Sequence, residues 1–325
     1  MFFTVSVLLV AGVGLIWKFR ERLAFRYGRL SRSHHGSPST PLTSMGADQF
    51  IELSFGRVHY VYRPSSSSTT LNIFVHGFSI PMQIWEDIFQ FVANENEACL
   101  IFDLYGRGWS DAPSVPMNVD LFVSQLAELL YALNLPYEKY HLFGVSMGGM
   151  IVQRFTQLYP SKVSKLILCC PVGFHGVVPG KLIMSILALP ILGPFLFKAF
   201  MARSNSKSVR AQWAYPDRQE YQRYMRLFRE IVREHPGYLR SLLSTVLCFD
   251  FQSAWKTVDS IDKLNIPILI VWGDQDSLIP VEDAYRYHKS YKKSSLTIIP
   301  GANHSLLIEH SKDVIDALKP FLNNK

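Results

Sequence analysis

YHLFGVSMGGMIVQRFTQLY, residues 140–159, decides the fold. Its opening run YHLFG (140–144) reads as a strand, and 147–159 reads as a helix. Between them lies Gly144-Val145-Ser146-Met147-Gly148, a G-x-S-x-G motif. A serine at a sharp strand-to-helix turn sits in strained backbone, with its Oγ presented above the end of the sheet. Glycine two residues to either side lets neighbouring backbone pass without a Cβ clash. The following helix N-terminus adds a positive dipole end near a developing oxyanion. A bare G-x-S-x-G arises by chance. The strand–turn–helix setting separates this one from a structural serine in a glycine turn.

A serine nucleophile needs a base, and the base needs an orienting acid. In a doubly wound sheet the partners are expected just past the carboxyl ends of later strands, in the order acid then histidine. IPILIVWG (266–273) ends in Gly273-Asp274-Gln275-Asp276, and SLTIIP (295–300) ends in Gly301-Ala302-Asn303-His304. Either Asp274 or Asp276 can be the acid. Asp276 is favoured, because Asp274 lies nearer the strand and reads as a turn cap. Of ten histidines, His304 is preferred on position, and His310 reads as a surface residue. His76-Gly77-Phe78 follows the strand LNIFV (71–75). Backbone N–H groups of Phe78 and Met147 are the candidate oxyanion donors, and His76 reads as structural. Asp103, at the head of DLYGRG (103–108), reads as a turn stabiliser. That segment lacks the G-x-x-G continuation and following βα unit of a dinucleotide site. No cofactor or metal is expected, since no His/Cys/Asp cluster has ligand spacing.

Working outward, short strand runs alternate with helices from residue 49 onward, as in an α/β fold. FIELSFGRVHYVYR (50–63) predicts a hairpin around Gly56. Further strands are expected at 98–103 and 163–170, with helices near 82–93, 119–133, 281–291 and 311–322. Residues 172–262 interrupt the alternation and read as an inserted helical lid. Its first part, LIMSILALPILGPFLFKAFM (182–201), carries only Lys198 as a charge. Pro190, Gly193 and Pro194 predict a broken helix pair packed over a pocket. A sharper reading has this lid touch a membrane as well. In residues 217–235, Tyr224, Leu227, Phe228 and Ile231 make an apolar face, and the charges a solvated one. The core is then 49–171 plus 263–325, preceded by a Ser/His/Pro/Gly-rich linker at 33–48.

The 325 residues carry 33 Lys+Arg against 26 Asp+Glu, a formal +7, and are 48% hydrophobic. A core of ordinary size is affordable, and disorder is excluded. Four cysteines in a chain of this length exclude a disulfide scaffold. Residues 18–32 hold six Lys/Arg and one Glu, so a net +5 falls there and +2 on everything else. A nucleic-acid partner is therefore disfavoured. Residues 2–17, FFTVSVLLVAGVGLIW, are uncharged and apolar. As a helix they rise about 24 Å, slightly short of a ~30 Å hydrocarbon core. With the basic residues after the apolar run, residues 1–32 read as an uncleaved anchor and basic flank rather than a signal peptide. The positive-inside rule then puts the remaining domain on the cytosolic side, compatible with the endoplasmic reticulum. The one N-x-[ST] sequon, Asn303-His304-Ser305, overlaps the candidate base, which weakly supports the same side.

Together HGF (76–78), FDLYGRGWSD (102–111), GVSMGG (144–149), WGDQD (272–276) and GANH (301–304) resemble the α/β-hydrolase superfamily over residues 50–325. The resemblance implies a mostly parallel eight-stranded sheet with helices on both faces and an inserted lid, to which the N-terminal membrane helix read from residues 2–17 is added. It implies a triad of Ser146, Asp276 and His304, with Phe78 and Met147 at the oxyanion hole. Dehalogenase and epoxide-hydrolase branches carry Asp at the elbow, so Ser146 departs from them. The apolar N-terminus, GVSMGG and YPSKVSKLILCCPVGF (159–174) are loosely similar to the membrane-anchored monoacylglycerol lipases. The implied reaction is hydrolysis of a lipid ester through an acyl-enzyme. Thioester hydrolysis, acyl transfer and C–C bond hydrolysis use the same triad and stay open. A non-catalytic scaffold is disfavoured, because all three triad residues are present.

Overall fold

In the computed structural model the described residues are 44–79, 81–204, 207–235 and 237–323. The expected membrane helix and most of the linker lie outside them. The chain opens with a hairpin of β1 (Gln49–Leu53) and β2 (Gly56–Arg63), paired from Gln49↔Tyr60 to Leu53↔Gly56. β3 (Thr70–Val75) follows, then a 3-10 turn (Met82–Trp85) leading into α1 (Glu86–Asn94). β4 (Ala98–Phe102) and α2 (Val119–Leu133) come next. Asn118 caps α2 by accepting the Leu121 N–H at 2.9 Å. β5 (Lys139–Val145), α3 (Met147–Leu158) and β6 (Val163–Cys169) carry the decisive stretch.

Among the described residues six α-helices and one 3-10 turn (Ala254–Lys256) lie between β6 and the next strand. The helices are α4 (Lys181–Leu187), α5 (Leu192–Ser204), α6 (Lys207–Ala211), α7 (Gln219–Glu234), α8 (Tyr238–Cys248) and α9 (Val258–Asp262). β7 (Ile268–Gly273), α10 (Glu282–Ser290), β8 (Ser294–Ile299), α11 (Leu306–Glu309) and α12 (Ser311–Asn323) close the chain. β7 begins two residues later than the apolar run suggests. Pro267 has no N–H for a ladder and contributes only its carbonyl, which accepts from Leu166 N.

The sheet has eight strands in the order β1-β2-β4-β3-β5-β6-β7-β8. β1/β2 and β2/β4 are antiparallel, and every later pairing is parallel. Strands β3, β4, β6 and β7 are apolar almost throughout and buried, as strands covered on both faces must be. From β3 the chain steps to β4 on one side and returns to β5 on the other. Ligand crevices of open α/β sheets form at such a reversal. Gly77 and Ser146 lie just past the carboxyl ends of these adjoining strands.

The helices between β6 and β7 build an apolar core of their own, including Met184, Phe197, Phe228, Ile231 and Leu242. In α7 the buried stripe is Tyr221, Tyr224, Met225, Phe228 and Ile231. Leu227, expected on that stripe, is only partly buried. α8 is pinned along the sheet end by polar contacts. Tyr238 Oη donates to Ser79 O at 2.8 Å, Ser241 Oγ to Gly106 O at 2.8 Å, and Arg240 Nη2 to Ala112 O at 2.7 Å.

Candidate active site

Ser146 sits between β5 and α3 with φ 54° and ψ −119°, a left-handed conformation that non-glycine residues avoid. Strain of this kind costs on the order of 1–3 kcal/mol and persists only where surroundings impose it. Two backbone bonds impose it here: Ser146 N donates to Cys169 O at 3.0 Å, and Val172 N donates to Ser146 O at 3.2 Å. The Ser146 side chain makes no cap hydrogen bond to α3, so its hydroxyl is not spent on the helix. One close approach here requires glycine: a Cβ on Gly148 would lie 2.3 Å from Val75 O. A Cβ on Gly77 would stand 3.4 Å from the Ser146 Cβ, in ordinary contact. Gly77 therefore sits directly against the serine, which brings the 76–78 loop to the elbow.

His76 is fully buried beneath that loop. Its Nδ1–H donates to Gly77 O at 2.9 Å, and its Nε2 accepts from Leu104 N at 2.9 Å. Burial drives its pKa down to about 4, so the ring is neutral and both nitrogens serve the backbone. Phe78 O accepts from Arg107 Nε at 2.8 Å. Arg107 also donates to Tyr105 O at 3.0 Å and, across to α8, to Thr245 Oγ1 at 2.7 Å. Burial lowers its guanidinium pKa to about 9.

Asp276 and His304 meet at the ends of β7 and β8. His304 Nδ1 lies 2.8 Å from Asp276 Oδ2. Asp276 Oδ1 accepts from Leu278 N at 2.9 Å and Ile279 N at 2.8 Å. Both carboxylate oxygens are thereby held, and His304 Nδ1 is the donor in their contact. Asp274 is exposed and instead accepts from Gly301 N at 2.7 Å. His310 pairs with Asp313 at 3.0 Å, away from this group.

Three residues gain roles that the motifs alone do not suggest. Asn303 Oδ1 accepts from His304 N at 2.8 Å and from Ser277 N at 3.0 Å, while its Nδ2 donates to Ala211 O at 2.9 Å. It ties the histidine turn to the aspartate turn and to α6, and its amide is committed within the protein. The sequon pattern gave no hint of this. Arg107 is the second. The third is Cys170, whose Sγ lies 3.9 Å from His304 O. Cys170, Asp276 and His304 bring ligating atoms within 4.8 Å of one another, a proximity that sequence spacing does not reveal. The group does not suit a resident metal. Burial, with the Asp276 charge second, pushes the Cys170 thiol well above its usual range. Asp276 and His304 already spend their facing atoms on each other.

Asp103 organises the floor of the site. It accepts from Met82 N at 3.0 Å and Trp109 N at 3.0 Å, and contacts His59 Nδ1 at 2.7 Å. His59 Nε2 lies 2.8 Å from Asp48. Burial by itself would lower His59. Hydrogen bonds and charges of Asp103 and Asp48 outweigh it and raise the pKa to about 9. A cavity of about 510 Å³ opens inside the helical segment, walled by α4–α5 and α7–α8, including Leu187, Phe197, Leu239 and Leu243. None of Ser146, Asp276 and His304 lines it.

A family model described as the alpha/beta hydrolase family matches residues 73–317. Human monoacylglycerol lipase ABHD6 is 22% identical over 268 residues, covering 81% of this chain and 78% of that protein. An esterase from Exiguobacterium antarcticum superposes with a TM-score of 0.67 at 17% identity, covering 86% of this chain and 100% of that one. A bromoperoxidase from Bacillus anthracis gives a TM-score of 0.66 at 19% identity, covering 86% and 100%. The family match spans the elbow, the 76–78 loop and the Asp276–His304 pair on their mixed eight-stranded sheet, and the chain belongs to the alpha/beta hydrolase family.

Proposed function

We propose that this hydrolase is a serine esterase that cleaves the carboxylic ester of a lipid, in the manner of a monoacylglycerol lipase. Ser146 is the nucleophile, His304 the general base and acid, and Asp276 the residue that holds the His304 tautomer. The observation that carries the reading is the 2.8 Å contact between His304 Nδ1 and Asp276 Oδ2. It reserves the other ring nitrogen, Nε2, for proton transfer. The strained Ser146 backbone and the adjoining Gly77 support the same assignment.

Ser146 Oγ attacks the ester carbonyl while His304 Nε2 takes its proton. Backbone N–H groups of Phe78 and Met147 stabilise the oxyanion, Met147 opening helix α3 where amide dipoles point outward. His304 then protonates the leaving alcohol. Water, activated by His304, releases the acyl group. Residues 172–262 act as a lid, and residues 1–32 hold the enzyme at a membrane with the core, 49–171 and 263–325, on the cytosolic side. The substrate is an apolar ester rather than a nucleic acid, in keeping with the apolar stretch 182–201 at the start of the lid.

The test compares purified wild type and Ser146→Ala on long-chain monoacylglycerols and on short water-soluble esters. Loss of hydrolysis by roughly 10,000-fold or more in Ser146→Ala, with preference for the long-chain ester, is expected. Full activity in the variant would overturn the serine mechanism. Preference for short soluble esters would overturn the lipid substrate.

A further inference from the structure

The basic excess of this chain has two centres, and the second is structural. Residues 181–240 carry 11 Lys/Arg and four Asp/Glu, a net +7. Residues 33–180 and 241–325 together net −5. The near balance of the folded domain conceals opposite charges on its two parts, and the positive part is the helical segment that begins with α4.

Exposed apolar side chains gather on the same segment. α4 exposes Leu182 and Ile183, with Ile186 at the margin. α5 exposes Phe195 at 68% and Phe200 at 61%. The two helices meet at a 110° bend. At the bend stands Ile191, 82% exposed and with φ +60°. A β-branched residue is a conformational outlier there, and its side chain projects into solvent as well. The inward residues of the same pair, Met184, Ala188 and Phe197, are buried in the helical core. α4–α5 is thus apolar on both sides, and among the described residues its inner side is packed while these outer side chains stay exposed.

We propose that the outer face of α4–α5 docks on an anionic phospholipid bilayer, with the Ile191 apex entering the acyl region. Large apolar patches rimmed by polar residues on soluble domains mark interaction surfaces. The lipid occupant is chosen by the charge. Lys181 opens α4 and Lys198 interrupts the apolar run of α5, both exposed. Their stems can lie along lipid while the ammonium groups reach the headgroups. An anionic leaflet attracts such groups, whereas it repels the net-negative remainder of the domain, so one orientation is selected. Among the described residues no single helix is long and apolar enough to cross a membrane, and only the α4–α5 pair taken together has the length and composition. Its 110° bend and its buried inner face in the helical core set it at the interface as a wedge, a geometry suited to shallow insertion. Docking in this way also brings the wall of the 510 Å³ cavity, to which α5 contributes Phe197 and Lys198, to the lipid surface. The proposal goes beyond the esterase reading and does not depend on it.

The test uses the full-length chain with Ile191→Cys, labelled with an environment-sensitive fluorophore. The native cysteines are all buried, so the new thiol is the accessible one. Tyr131→Cys, at a position 88% exposed on α2, is the control. Each is bound to phosphatidylcholine vesicles with and without phosphatidylserine. Vesicles containing phosphatidylserine should shift the residue-191 emission to the blue and expose it to quenching by nitroxides on lipid acyl chains, with no change at residue 131. Phe195→Asp with Phe200→Asp, altered only at exposed positions, should abolish that shift. Lys181→Ala with Lys198→Ala should lower the residue-191 insertion equilibrium by roughly 25-fold at low salt, at about 1 kcal/mol per basic residue. A residue-191 label that stays aqueous on vesicle-bound protein overturns the proposal. So does a label shielded from lipid and aqueous quenchers alike, which would mean a protein partner. Equal insertion into phosphatidylcholine alone overturns the anionic preference. No reading depends on hydrolysis, so failure here leaves the Ser146 assignment untouched.

Discussion

Ser146 carries a conformational cost that its side chain does not explain. At φ 54° and ψ −119°, alanine is as strained as serine, and glycine is not. Ser146→Gly should therefore be more stable than Ser146→Ala by on the order of 1 kcal/mol, both being inactive, as read by thermal or urea unfolding. Equal stability of the two would mean that the elbow stores no strain. The acid is tested in the same residue-by-residue way. Asp276→Asn should lower kcat about 10,000-fold by holding the wrong His304 tautomer, whereas Asp274→Asn, altering only a turn contact with Gly301 N, should leave kcat within a few-fold of wild type. The serine, histidine and aspartate candidates were legible because each lies in a local pattern at a strand end. Asn303, Cys170 and Arg107 were not, since their partners come from segments far away in the chain. Arg107 meets Thr245 on α8, and no local periodicity encodes that pairing.

At the scale of elements, the sheet end and the helical segment are joined by buried polar groups. Arg107 Nη2 donates to Thr245 Oγ1, so Thr245→Val should destabilise the fold by about 1–3 kcal/mol, leaving a buried donor without its acceptor. Urea denaturation checks this. The His59 network links β2, the end of β4 and residue 48. Its folded pKa of about 9 exceeds the ordinary 6.5. The stabilisation is fully present below pH 6.5 and is lost as pH rises through 9, on the order of 3 kcal/mol in all. Unfolding of wild type between pH 6 and 10 should show this decline, and His59→Gln should flatten it. A wild-type profile flat across that window would contradict a buried imidazolium. Strands were readable because buried parallel strands are continuous apolar runs, and the α4–α5 break was readable from Pro190, while Gly193 and Pro194, expected in the break, fall inside the first turn of α5. α7 (Gln219–Glu234) matches the amphipathic stretch read at 217–235, whereas the bounds of α8 and α9 were not readable, because no side-chain cap hydrogen bond marks where they start.

For the whole molecule, sheet order explains why distant motifs converge. Reversal of strand order at β3 sets the 76–78 loop beside the elbow, and parallel β7 and β8 deliver Asp276 and His304 at the same end. The sequence order of motifs foretold this end-on gathering, since each motif follows a strand. Charge did not read as directly. The net +2 outside residues 1–32 is the balance of a basic helical segment against an acidic remainder, and only the fold shows that the basic part also bears the exposed apolar wedge. The central claim is that Ser146 forms an acyl-enzyme, and mass spectrometry of the intact protein after reaction with a long-chain alkyl fluorophosphonate tests it most directly. The account predicts one covalent adduct, mapped to Ser146 and absent from Ser146→Ala and from heat-denatured protein. An unmodified wild-type chain, or an adduct on any other residue, would contradict it.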